Sequence, residues 1–222
     1  AGASPRADLD RRDVLRLLNV DGSLARDSLR VVPAREDLIV RTAGGGVSVR
    51  HNPFGREGIF RAGPDGALYY GWTDSLAIAT FSAAGTPIRE FRAAVHPRPV
   101  TREDVDRAVA SLAAFKAPPL PGFAGLQAEL RRAMQNAAPA TWPAFTSFVV
   151  DDARRVWVAL PAADGEPVEW DGFTPAGVPF ARLQLPARAV LKALRGSTAY
   201  AVATDSLDVP SVVMYRITPR LP

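Results

Sequence analysis

Two histidines, His51 and His96, are the side chains best placed to move protons near neutral pH, and neither has a partner at a useful spacing. His51 precedes Asn52-Pro53 and His96 precedes Pro97, so both are expected in loops. No second His or carboxylate follows either at ligand spacing, which argues against a metal centre. A Ser-His-Asp set needs only to meet in space, but no Gly-x-Ser-x-Gly marks a nucleophile. Gly44-Gly45-Gly46 lacks the companions of a phosphate-cradling loop and reads as a hairpin tip. Asp151-Asp152 and Asp164-Gly165 lack the alternating acidic pattern of a calcium loop and read as turns. There is no Cys, which excludes disulfides and thiolate sites. The expectation is a non-enzymatic chain with no catalytic residue, metal or cofactor.

Recognition chemistry is better represented. Tyr69, Tyr70, Trp72, Trp157 and Trp170 fall on or beside expected strands, where alternation divides them between core and surface. Trp, Tyr and Arg are the side chains that anchor protein interfaces. The partner-binding candidates are Trp142, Trp72, Trp170 and Tyr70, with Arg131 and Arg132. Trp142, held between Thr141 and Pro143, is expected to be exposed to a partner.

The elements that must position these groups belong to a chain of 222 residues, long enough for one large β domain or two small ones. With 47% hydrophobic and 23% charged residues, the composition is globular. Its net charge of +4 is small, and no basic cluster interleaved with stacking aromatics appears, so nucleic acid is not an expected partner. No apolar run is long enough to span a bilayer. The opening Ala1-Gly2-Ala3-Ser4-Pro5, without Met, reads as a removed leader or a trimmed boundary, and fits the flexible start of a mature secreted chain.

An internal repeat organises the strands. Leu18 to Gly22, Phe81 to Gly85 and Phe173 to Gly177 each place an apolar residue four positions before a Gly, followed by a second apolar segment, and each predicts a hairpin. Thr73-Asp74-Ser75-Leu76 recurs as Thr204-Asp205-Ser206-Leu207, again between two expected strands. Pro64-Asp65-Gly66 and Asp151-Asp152-Ala153 are expected to turn into strands bearing Tyr or Trp. Four short antiparallel strands per unit is the pattern of a propeller blade. The period breaks at Thr101-Arg102-Glu103-Asp104, a helix start from which Val105, Val109 and Leu112 follow at helical spacing. That helix should stop near Lys116, and a second is expected from about Phe123 to Asn136, with Phe123, Leu126, Leu130 and Met134 along one side.

Several segments, in order, resemble the C-terminal part of bacterial six-bladed β-propellers of the NHL-repeat kind. They are Pro53-Phe54, Gly63 to Gly71, Pro97 to Thr101, Phe148 to Asp151 with Val156-Trp157-Val158, and Val212 to Ile217. The resemblance covers roughly Asp13 to Pro219. It implies a mainly β fold: a partial propeller of about three to four antiparallel blades, as one domain over 1–222 with a two-helix insertion at about 101–137. It further implies an extracytoplasmic home, periplasmic or secreted, peripheral to a membrane if held through a partner. The expected role is a binding or scaffolding module, an accessory subunit on the external face of a membrane-bound complex, with protein subunits as partners. Six blades of ~40 residues would need more chain, so the N-terminal half looks absent, and the bare edges of an unfinished ring are expected to dock. A propeller hydrolase or lactonase, or a small-ligand or glycan sensor, is the alternative.

Overall fold

The computed structural model describes residues 11–42, 44–113, 125–163 and 165–217. The first five residues, the stop of the first helix near Lys116, the start of the second at Phe123, and Asp164 lie outside the described residues. Within them eight strands are followed by two helices and seven further strands, and the strands form five antiparallel sheets, none closed into a barrel. The fold is mainly β. Two compact units share the chain: Ala1–Glu57 with Pro97–Pro143, and Gly58–His96 with Ala144–Pro222.

The first unit opens with a ribbon of β1 (Arg12–Leu18) and β2 (Leu24–Pro33), followed by the hairpin of β3 (Leu38–Arg41) and β4 (Val47–Arg50). Two helices follow later in the chain, α1 (Arg102–Ala113) and α2 (Leu126–Ala137). Thr101 starts α1 through a reciprocal cap: its Oγ1 accepts from the Asp104 N–H at 3.1 Å while the Asp104 carboxylate accepts from the Thr101 N–H at 3.0 Å. In α2, Leu126, Leu130 and Met134 repeat every four residues and are buried, as their spacing requires. Met134 packs with Leu38, Phe54 and Trp142, and Leu126 and Leu130 pack with Val40. The helices thus cover the short β3–β4 hairpin, which alone would be marginal.

The second unit holds three meanders. The first contains β5 (Gly58–Ala62), β6 (Leu68–Trp72), β7 (Ala77–Phe81) and β8 (Pro87–Arg92) in sequence order. The second contains β9 (Ser147–Val150), β10 (Val156–Ala159), β11 (Val168–Phe173) and β12 (Pro179–Leu185). The third has three strands, β13 (Ala189–Arg195), β14 (Thr198–Thr204) and β15 (Pro210–Arg216). The first strand of the middle meander, β9, lies against both β5 and β13.

Period-two alternation explains how the middle sheet is buried on both faces. From β10, Val156 and Val158 enter a cluster with Tyr69, Ile78 and Phe91 of the first meander. Their neighbours Trp157 and Ala159 enter a different cluster, with Leu191, Leu194, Ala199 and Ala201 of the third. A strand that must be apolar at every position cannot alternate in hydrophobicity, and β10 reads Val-Trp-Val-Ala for this reason. Packing between sheets is tight. A Cβ at Gly71 would come within 2.7 Å of both Ile78 and the buried ring of Phe145.

One turn recurs seven times among the described residues. In each, a first residue takes a backbone bond from, and gives one to, residues three and four places on, closing a three-residue loop with a bulge. The first residues are Asn19, Thr42, Gly63, Ser82, Asp151, Thr174 and Asp205. All three hairpins expected from the apolar-x-x-x-Gly spacing are present, and so are the turns at Asp65 and Asp151. The fourth position is left-handed, with φ of 81° at Gly177, whose missing Cβ would also strike Phe91 at 2.8 Å. Arg154 occupies the same position at φ 61° and ion-pairs with Asp65 at 3.2 Å across the surface. Left-handed backbone costs an L-residue roughly 1–2 kcal/mol, and an exposed ion pair returns about half a kcal/mol. Arg154→Gly is therefore expected to gain up to about 1 kcal/mol, read as a rise of a few degrees in the thermal midpoint. A fall would show that the ion pair outweighs the strain.

Candidate partner-binding surface

The sequence candidates separate into buried and exposed groups. Trp142, expected at the surface, is buried instead. Its ring meets Phe54 edge-on at 4.8 Å, Arg98 stacks over it at 4.8 Å, and its Nε1–H donates to Asp104 at 3.2 Å. The correction has a plain cause: Asp104 offers the indole N–H a buried acceptor, and the α1–α2 core offers the ring apolar company. Asp104 also accepts from the Thr101 hydroxyl and ion-pairs with Arg107 at 2.9 Å. Burial alone would raise its pKa, but the Thr101 N–H, Trp142 Nε1, the Thr101 hydroxyl and the charge of Arg98 outweigh that and hold it below the ordinary carboxylate value.

Asp151 plays the matching part in the second unit. Its carboxylate accepts from the N–H groups of Ala153 and Arg155, from Arg155 Nε at 2.6 Å and from Trp157 Nε1 at 3.1 Å. Arg155 also lies over Phe180, which packs edge-on against Trp157. In both units an acidic residue at a local turn or cap orients an indole and a guanidinium. These Arg and Trp side chains serve the interior.

Of the remaining candidates, Tyr70 is buried against Phe60, with ring centroids 4.6 Å apart, and Trp72 at the end of β6 is half-buried. Trp170 is buried in the cluster between the second and third meanders, its Nε1–H without a hydrogen-bond partner among the described residues. Arg131 and Arg132 lie exposed on α2, opposite its apolar stripe, with Arg132 3.0 Å from Glu129. His51 and His96 are both exposed, and no group of three or more metal-ligating side chains occurs among the described residues. None of the described helices is long and apolar enough to cross a membrane.

The most exposed apolar surface of the second unit lies on residues that were read only as strands. On β13–β15, alternation sends Leu191, Ala199, Ala201 and Tyr215 inward and leaves Val190, Tyr200, Val202, Val212 and Met214 on the other face. Val212 and Met214 are 75% and 68% exposed, and Leu207 at the adjoining turn is 81% exposed. Three strands of this length present a face of about 300 Å². An apolar patch within a face of that size is comparable to the largest found on ordinary folded surfaces, and such patches are often functional. The signal in the sequence was Val212-Val213-Met214 itself, an apolar run with no charge on either face. Comparison with family models and with curated proteins found no match to this chain.

Proposed function

We propose that the chain is a non-enzymatic, propeller-type protein-binding module, an extracytoplasmic accessory subunit that helps hold a larger assembly on the external face of a membrane-bound complex. The stacking of the second unit supports the propeller reading. Blades of a propeller are antiparallel meanders packed face to face with their first strands innermost, and β5, β9 and β13 are the strands that adjoin. The echo of Thr73-Asp74-Ser75-Leu76 in Thr204-Asp205-Ser206-Leu207 falls between the second and third strands of two meanders, as a repeating blade requires.

One observation carries the binding role: the middle sheet is covered on both faces, whereas the third is covered on one and bears Val212 and Met214 in the open on the other. The partner is a protein surface that takes the place of a further sheet. To test this, the chain and its Val212→Lys, Met214→Lys double variant are used to capture proteins from the native membrane fraction. A specific partner should fall at least tenfold with the variant while the thermal midpoint stays unchanged. Equal recovery by both chains would remove the third sheet from the binding role.

A further inference from the structure

Among the described residues nothing pairs with the outer edge of β15, and that edge differs from those of the other outermost strands in the second unit. β8 reads Pro-Ile-Arg-Glu-Phe-Arg and β12 reads Pro-Phe-Ala-Arg-Leu-Gln-Leu, each with charge near its middle, the usual guard against edge-to-edge pairing. β15 reads Pro-Ser-Val-Val-Met-Tyr-Arg, neutral until its last residue, and it closes a sheet of three strands beside two of four. Its guards, Pro210 and Arg216, stand only at its two ends, and its middle carries none.

Its hydrogen-bonding groups can be assigned. Ile217 N–H donates to Ser197 at 2.7 Å and Val209 C=O accepts from Asp205 N–H at 3.2 Å, so odd-numbered residues of β15 bond toward β14 through an unbroken register. The N–H groups of Val212, Met214 and Arg216 therefore point away from the sheet, and the only even position without one is Pro210.

We propose that this edge pairs with β15 of a second copy of the chain, antiparallel about a two-fold axis through Val213, making one six-stranded sheet. In that register Val212 of each copy opposes Met214 of the other and both exchange backbone bonds, while Arg216 donates to the carbonyl opposite the missing Pro210 N–H. No outward N–H is left over. Charge is compatible: Asp208, which meets Arg188 of its own chain at 3.6 Å, precedes the strand and Arg216 ends it, so antiparallel pairing brings Arg216 of each copy toward the Asp208 end of the other. The strand edge buries roughly 500 Å² in total, below the ~1,200 Å² of a stable complex, so the dimer is weak and forms only at high protein concentration. The edge is distinct from the outward face invoked above, and either can hold without the other.

The chain has no Cys, which makes the test direct. Residues on the axis form a non-bonded pair with Cα atoms about 4.5 Å apart, within disulfide range. Under mild oxidation at ~0.5 mM, Val213→Cys should give a covalent dimer at least tenfold faster than Val190→Cys on the same sheet. Adding Val212→Pro, which removes an outward N–H and spares the ladder to β14, should return the rate to that of Val190→Cys with the thermal midpoint kept. Equal rates at the two positions, a monomer by sedimentation at every concentration, or dimers that survive Val212→Pro would each overturn the proposal; a change confined to partner capture from the membrane fraction would bear on the face alone.

Discussion

Replacing Asp151 with Ala is expected to cost about 3–5 kcal/mol, the largest effect of any single exchange of a polar residue in the second unit. The carboxylate is fully buried and accepts four donors, two of them backbone N–H groups of its own turn. Removing it leaves the buried Trp157 indole N–H with no acceptor and deprives the half-buried Arg155 guanidinium of its counter-charge. The damage spreads in two directions. The turn loses the bonds that fix Arg154 in its left-handed conformation, and Trp157 loses the contact that sets its ring between the second and third meanders. A thermal midpoint lower by roughly 8–15 °C follows for a domain of this size. Hydrogen exchange should locate the loosening at the β9–β10 hairpin first. A loss under 1 kcal/mol would mean that water replaces the carboxylate and the site is open.

How much of this was legible in the sequence depends on the range of the interactions involved. The hairpins were, because a bulged three-residue loop needs a left-handed residue at a fixed offset, and Gly22, Gly85 and Gly177 stand there. The helices were too, since Thr101 with Asp104 and the Leu126-Leu130-Met134 stripe are local signals. Burial of Trp142 was not. Its acceptor lies 38 residues earlier, on the first turn of α1, and nothing in Ala-Thr-Trp-Pro announces that contact. The uncharged run Val212-Val213-Met214 was legible, but not that its outer face stands open. Alternation tells which residues share a face, but whether a face is covered depends on a neighbouring sheet, as the contrast between β10 and β15 shows. Pairing of Trp and Arg, read as the chemistry of interface anchors, turned out to include an internal use: Arg98 with Trp142 and Arg155 with Trp157 are held by buried carboxylates.

Acid should loosen the first unit through Asp104, and the direction follows from the geometry. Five donors surround this carboxylate, and together they hold its folded pKa below its unfolded value of about 3.9 despite burial. A depressed folded pKa means that the anion is bound more tightly by the fold than by the unfolded chain. Its contribution is therefore complete above the unfolded pKa and disappears as pH falls from about 4 through the folded value. Asp104→Asn removes the charge at every pH and turns an amide N–H₂ toward donors, so at pH 7 it should cost about 2–4 kcal/mol. Other carboxylates titrate in the same window, but they do so in both proteins, so the difference between parent and variant isolates Asp104. Urea unfolding followed by tryptophan fluorescence at pH 7 and at pH 3 should show that difference shrinking on acidification. A gap that stays constant would mean that Asp104 acts through shape alone, as the cap of α1 and the seat of the Trp142 ring, with its charge contributing nothing.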